Sequence, residues 1–507
     1  MTAQSQPLDP ELYRLTRTVA LDALRRLKEL VAEGKDFDTS HRHPRFDEDG
    51  ITFRPVSRRG PITSYHSAIG IEANAYFRPF VAYEELDGFS AFRDHASSIE
   101  GLQEFLTFLP FADDPEMVER SHLVWMGQFP LRILEHHIHC VGWDFSEDLF
   151  LETYCRAEKF WFVRQLPVEV LVPVIGVSFT SDLVELTNGH YLERMSDGLQ
   201  LSRMPYFHVD TEQLAVLPSS THALVIPGFS LTYANTIWPP TVSQDPIGVD
   251  AVRAFFQALS IEQPFPSGFV QYVFRPVGWA DGFEGALPPL VHGPVVRRYS
   301  PRLAGGMKEP TITLGVDAES RLASTFEQLL APPKKISIAA GRLQGSMMRD
   351  QETDRILDLC IGIESLVSDN SPGDTTYKLA LRTTAVLASK GVHATADVFA
   401  AMKGIYGYRS AVAHGAKNAE KKRKVNVFGA NLDASNLAEY MLRELLSVFI
   451  AAGDMTAEDV DKKFLLDPLS TVAKISRDAE DESAGEGDVP RPRSSEESTS
   501  AVPEGLD

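Results

Sequence analysis

The hydrophobic period of this chain changes at Pro332-Pro333, and no other feature restricts its possible folds as much. From about Val168, apolar residues come in short β-branched runs with a period near two, while beyond Pro332-Pro333 they recur every three to four residues throughout. Period two lines one face of a strand, and a period near ~3.6 lines one stripe of a helix. The expected fold class is therefore α+β. Residues 1–330 should form a mixed helix and strand region with a sensing or scaffolding role, residues 335–470 a separate all-α helical bundle, and residues 478–507 a disordered acidic tail. A chain of 507 residues with 43% hydrophobic content can bury cores for roughly two or three such units.

In the first region, Leu12, Leu15, Val19, Ala23, Leu27 and Leu30 mark one face of an opening helix. Its other face carries Arg14, Arg17, Arg25, Arg26 and Lys28, either as an ordinary solvated surface or as a basic face toward RNA. Gly34 to Gly60 reads as a loop with one short edge strand, and residues 90–140 as helical, with Ile99, Leu102, Phe105 and Leu106 on one stripe. Strands are expected at Val170 to Phe179, Leu183 to Leu192, Ala223 to Leu231 and Phe269 to Phe274. The second should fold back at Asn188-Gly189, because that dipeptide accepts two consecutive positive φ angles. Val249 to Leu259 reads as a helix, and the Pro- and Gly-rich span from Pro276 to Pro310 as loop and linker. No Gly-rich phosphate loop and no Gly-x-Ser-x-Gly turn occurs here.

Beyond Pro333, helices are expected from about Lys335, over Ile356 to Val367, Thr375 to Leu387, Ala394 to His414, and through Leu437 to Val448. Glu364 falls close to the apolar stripe of the second. A carboxylate there needs a partner, Arg382 or Arg409, in a structural ion pair or in a site-orienting role. The fourth helix ends in Tyr406-Gly-Tyr-Arg-Ser-Ala-Val-Ala-His-Gly415, where the glycine, lacking a Cβ, closes the last turn. Arg409 and His414 thus lie near one helix end, with their directions separated by roughly 140°.

Arg409-x4-His414 in this setting, Tyr377-Lys-Leu-Ala-Leu-Arg382 before it and Ile356-Leu-Asp-Leu-Cys-Ile-Gly-Ile-Glu-Ser-Leu366 earlier resemble the C-terminal HEPN domain of ApeA-like proteins. The resemblance spans about residues 335–452. It implies a dimeric, metal-independent endoribonuclease used in stress or antiphage defence, with Arg409 and His414 as its catalytic motif residues. Ser410 stands where that family often carries Asn, Asp or His, and it can orient by hydrogen bonding but cannot ionise. The alternative is a non-catalytic module that binds nucleotide, RNA or a protein partner.

The residue chemistry suits the first reading. Cutting RNA without a metal requires removal of the 2′-hydroxyl proton, protonation of the leaving 5′-oxygen and stabilisation of charge on the phosphorane. An imidazole serves either proton step near neutral pH, and a guanidinium forks two phosphate oxygens while staying charged. One histidine cannot easily be acid and base together, so a homodimer with two Arg409/His414 sets is the simplest complete site. Lys417, Lys421, Lys422, Arg423 and Lys424 follow directly, either as an RNA-binding patch or as a solvated surface loop. Locality matters because the chain is acidic overall: its formal charge is −21, of which −8 lies in residues 478–507.

Neither a metal nor another cofactor is expected. His136, His139 and Cys140 share a helical face, but without a second ligand pair they read as the partly buried end of a helix. The three cysteines, Cys140, Cys155 and Cys360, are too scattered for a disulfide framework. With no apolar stretch reaching the ~18 residues of a membrane span, the expected location is the cytoplasm.

Overall fold

The structure is a computed structural model that describes residues 6–35, 42–47, 50–55, 65, 68–71, 78–99, 115–162, 165–203, 219–232, 241–242, 249–280, 288–303, 312–369, 375–391, 394–417 and 419–468. Leu102, Phe105, Leu106 and the 478–507 tail lie outside these residues. Helix α1 (Pro10–Ala32) is capped by Asp9, whose carboxylate accepts from the Glu11 and Leu12 amides at 2.9 Å. Its arginines are spoken for: Arg14 pairs with Glu11, Arg17 with Glu147, and Arg25 and Arg26 with Asp22. A solvated, ion-paired face is therefore what the structure presents. Strands β1 (Arg42–Asp47) and β2 (Gly50–Pro55) make an antiparallel hairpin where one edge strand was expected. The short parallel pair β3 (Ile69–Gly70) and β4 (Val81–Ala82) precedes α2 (Phe89–Ser98), α3 (Pro115–Val141) and α4 (Glu147–Phe162). Leu12, Val19, Leu27, Phe92, Leu134 and Phe150 belong to the core shared by α1 to α4.

From Gln165 the chain turns to strands: β5 (Gln165–Pro173), β6 (Val177–Phe179), β7 (Leu183–Glu185) and β8 (Tyr191–Arg194). Helix α5 (Asp197–Ser202), β9 (His222–Thr232), β10 (Thr241–Val242), α6 (Val249–Glu262), β11 (Phe269–Pro276), β12 (Val291–Arg298), β13 (Ile312–Leu314) and α7 (Val316–Leu330) follow. β6 and β13 pair in parallel; the others form one antiparallel sheet of order β12-β11-β5-β9-β8-β7, with β10 beside β9. Between β7 and β8 the turn runs through Asn188 and Gly189 at φ 59° and 74°, as that dipeptide predicts. Alternation sorts the two sheet faces: Val168, Val170, Val172, Leu224 and Ile226 join Phe255 of α6 and Phe326 of α7, while Leu171, Val225 and Val273 join Leu199 of α5. Strand β12 corrects the reading of Pro276 to Pro310 as loop and linker. It is an outer strand, where one side has no neighbour to receive amide hydrogens, so Pro294 is tolerated.

Five helices then pack together: α8 (Lys334–Met347), α9 (Glu352–Val367), α10 (Thr375–Ala388), α11 (Thr395–Ala413) and α12 (Ala434–Ala452), with a short α13 (Ala457–Val460) and a π turn, Asp461–Leu466, after them. The expectation of an all-α bundle needs correction, because β14 (Lys424–Val427) and β15 (Ala430–Asp433) form an antiparallel hairpin between α11 and α12. Its turn holds Phe428 and Gly429 at φ 55° and 74°. The hairpin lies against the α11 backbone at Gly404, where a Cβ would come 2.5 Å from Val425 Cγ1. Burial also crosses the change of period. The sheet, α6, α7 and the bundle contribute to one continuous apolar cluster, and Arg443 on α12 donates to the Ser260 carbonyl of α6 at 3.2 Å. Buried residues between Leu12 and Cys155, such as Val19, Phe92 and Leu134, instead form a separate cluster.

Candidate functional site

Helix α9 buries Ile356, Leu359, Ile363 and Leu366 completely, and α11 buries Ala401, Met402 and Ile405 to the same degree. These stripes fix the two helices so that Glu364, at the edge of the α9 stripe, meets Arg409 on α11. Arg409 Nη2 lies 3.6 Å from Glu364 Oε1, with the two side chains 34% and 28% exposed. At that distance the contact is an ion pair without a short hydrogen bond, and Arg409 Nε is buried with no hydrogen bond. One turn before each partner stand Cys360 and Tyr406. The Tyr406 hydroxyl is buried beside Glu364 without a formed hydrogen bond.

Burial governs the protonation of this group. It pushes the Glu364 carboxyl up, against the opposing pull of Arg409 and Tyr406. Burial first, and then the nearby carboxylate, push up the Cys360 thiol; burial first, and then Cys360 and the carboxylate, push up the Tyr406 phenol. Cys360 is thus an inert buried thiol, since the reactive form is the thiolate. Sequence reading passed over Tyr406; its signal was the three-residue spacing to Arg409, which puts both on neighbouring parts of one helix surface.

The end of α11 follows from its sequence. His414 is the last residue before the reversal, Gly415 takes φ 60°, the Gly415 amide donates to Val412 O at 3.0 Å and the Ala416 amide to Ala411 O at 2.8 Å. This is the double-bonded glycine cap that a residue without Cβ permits. Ser410 and His414, four residues apart and both exposed, stand one above the other. No hydrogen bond or ion pair engages the His414 ring among the described residues. Arg409 faces α9 and His414 faces outward, so within one chain the two are not gathered around a single point.

The basic segment is more structured than the surface loop read from sequence. Ala419–Lys422 is a 3-10 turn and Lys424 begins β14. Arg423 Nε donates to Asp433 at 2.7 Å and its Nη1 to Glu420 at 3.2 Å, while Lys424 Nζ sits 3.8 Å from Asp433. Asp433 also caps α12 by accepting from the Ser435 amide at 3.0 Å. Two of the five cations therefore hold the hairpin. Lys417, Lys421 and Lys422 remain exposed and form no ion pair among the described residues.

Arg382, the other expected partner of Glu364, is engaged elsewhere, with Asp461, Asp369 and the Val367 carbonyl. In α3, Cys140 Sγ and His136 Nε2 approach to 3.5 Å, but His137 is the deeply buried ring, bonded to the Asp144 carbonyl and the Ser146 amide. Among the described residues no group of three or more His, Cys, Asp or Glu is placed to hold a metal ion, and no helix is long and apolar enough to cross a membrane. No family model, curated protein or solved structure matches this chain.

Proposed function

We propose that this protein is a metal-independent endoribonuclease of the HEPN type, acting in the cytoplasm in stress or antiphage defence and completed by the pairing of two copies through the helical bundle. Support comes from one arrangement: Arg409 is held beside a half-buried carboxylate, while Ser410 and His414 are exposed at the capped end of the same helix. In the reaction, one His414 takes the 2′-hydroxyl proton of the ribose and the 2′-oxygen attacks phosphorus. The 5′-oxygen leaves with a proton from the second chain's His414, and Arg409 stabilises the charge on the phosphorane. Glu364 orients Arg409, and Lys417, Lys421 and Lys422 attract the strand.

Labelled single-stranded RNA incubated with the protein and EDTA tests the reading. Cleavage that survives chelation and is lost in His414→Ala supports it; full activity in His414→Ala removes it. Arg409→Lys should lose about a hundredfold or more, since a lysine keeps the charge but not the fork. Turnover per protomer should fall on dilution below the dimerisation constant. A second reading, a non-catalytic RNA- or nucleotide-binding module, draws on the outward direction of His414 away from Arg409 and on the non-ionising Ser410. Binding without cleavage at any protein concentration would select it.

A further inference from the structure

One stripe of α11 carries Phe399, Lys403, Gly407, Ser410 and, at the cap, His414. At about 100° per residue these positions fall within an arc of about 80°. Lys403, Ser410 and His414 are exposed, and Phe399 and Gly407 half-buried. A Cβ on Gly407 would meet nothing within 4 Å, so the middle of the stripe is open. At the end away from His414, Tyr377 on α10 is 51% exposed. Its ring centroid lies 5.6 Å from that of Phe399 at an interplanar angle of 76°, and Lys403 Nζ stands 5.9 Å from the Phe399 centroid.

Charge indicates what this surface suits. Among the described residues Lys403 forms no ion pair, like Lys417, Lys421 and Lys422 past the other end of the helix. The bundle otherwise neutralises its arginines: Arg342 and Arg349 with Asp358, Arg355 with Glu439, and Arg382 with Asp461. In a chain of net charge −21, an unneutralised cation close to an exposed ring fits a polyanion that also has flat apolar faces. Pairing two copies face to face over Phe399 and Lys403 would instead set Lys403 of one chain near Lys403 of the other.

We propose that Tyr377, Phe399 and Lys403 form a base-stacking subsite for an unpaired RNA segment that runs along α11 to His414. The proposal rests on the ribonuclease reading above and adds a determinant that acts at a distance from the cut. Fifteen residues of helix place the stacked base about 22 Å from His414, several nucleotides from the scissile phosphate. Tyr377 offers its ring, Lys403 meets the adjoining phosphate, and Phe399 supports both. Bases inside a duplex are already stacked on each other, so this subsite selects for single strands.

The test uses the full chain with His414→Ala, which prevents turnover, and compares a labelled oligoadenylate with polyphosphate, a polyanion without bases. Tyr377→Ala should weaken oligoadenylate binding on the order of tenfold, leave polyphosphate binding unchanged, and be rescued by Tyr377→Trp. Equal weakening of both ligands overturns the subsite, as does unchanged oligoadenylate affinity; in either case the ribonuclease reading stands, because the parent still binds RNA. A shifted dimerisation constant with RNA affinity intact assigns the patch to a second copy and also overturns it. Failure of the parent to bind oligoadenylate overturns the subsite, while the ribonuclease reading is decided separately by cleavage of labelled RNA with the unmodified chain.

Discussion

Arg382 on α10 is buried and Arg409 on α11 half-buried, two arginines of one bundle in surroundings of opposite character. Arg382 donates from Nε and Nη2 to Asp461 at 2.7 Å, from Nη2 to Asp369 at 2.7 Å, and from Nη1 to the Val367 carbonyl at 3.1 Å. Toward α6 and the sheet, Arg355 is bonded to Glu439 and Asn436, although its Nε makes no hydrogen bond, and Arg443 is bonded to Glu439 and the Ser260 carbonyl. Arg409 has one carboxylate at 3.6 Å and an Nε with no hydrogen bond. A saturated guanidinium cannot leave without giving up every one of these bonds, so it holds the fold. One with unused donors near the surface has the capacity to take a phosphate.

The closed side of the bundle predicts the largest effect. Because Phe255, Ala258 and Leu259 of α6 share one core with Ala339, Leu343 and Met441, a fragment of residues 334–468 should show no cooperative thermal transition. A fragment melting as sharply as the full chain, and near its Tm, would break the contrast by showing that the bundle closes unaided. Next in size are the arginines themselves. Arg382→Ala should cost about 2 kcal/mol in urea unfolding, because it removes the charged hydrogen bonds to Asp461 and Asp369 and leaves only Lys378, 3.7 Å away, beside Asp369, whereas Arg409→Ala should cost under about 1 kcal/mol. The reverse ranking would mean that Arg409 is the structural member of the two.

Much of this was legible in the sequence, and the gaps have physical causes. Asn188-Gly189 and Gly415 were readable because a positive φ selects the residue locally. The hairpin of β14 and β15 was not: each strand has four residues, Val425 and Val427 alternate with polar neighbours inside a lysine-rich run, and the turn places Phe428 rather than Asn at positive φ. Nor can periodicity say which surface covers an apolar face, so the shared core of sheet and bundle was invisible across Pro332-Pro333. At the site, Glu364 near an apolar stripe predicted a buried acid with an arginine partner. The sequence left Arg382 and Arg409 equivalent, because the choice depends on Asp461, 79 residues beyond Arg382.

The basic segment sharpens the open side of the contrast by a smaller amount. If Lys417, Lys421 and Lys422 meet phosphates, neutralising each should reduce the slope of log affinity for single-stranded RNA against log salt by about 0.7. Arg423→Ala and Lys424→Ala should change it less, since Asp433 already engages both, and Arg423→Ala should instead loosen the hairpin. Equal slopes for all five variants would mean that the pairing with Asp433 does not distinguish them in solution.

The smallest effect separates the two sides by pH. Burial raises the Glu364 carboxyl above its ordinary 4.5, so just above that pH the folded chain binds more protons there than the unfolded chain, and its contribution to stability falls as pH rises through the window. His222 in the sheet behaves in the opposite sense: burial holds its imidazole at about 4 against an ordinary 6.5. Between those values the unfolded chain binds more protons, so the His222 contribution is present above 6.5 and is lost as the pH falls. On acidification the closed sheet loses stability where the open end of the bundle regains some. Glu364→Gln should therefore make the fall of Tm toward pH 5 steeper, and His222→Gln should make it shallower. A Glu364→Gln profile parallel to the parent's would show that this carboxyl titrates as it does in the unfolded chain, and the half-buried pair with Arg409 would then be too open to hold the guanidinium in place.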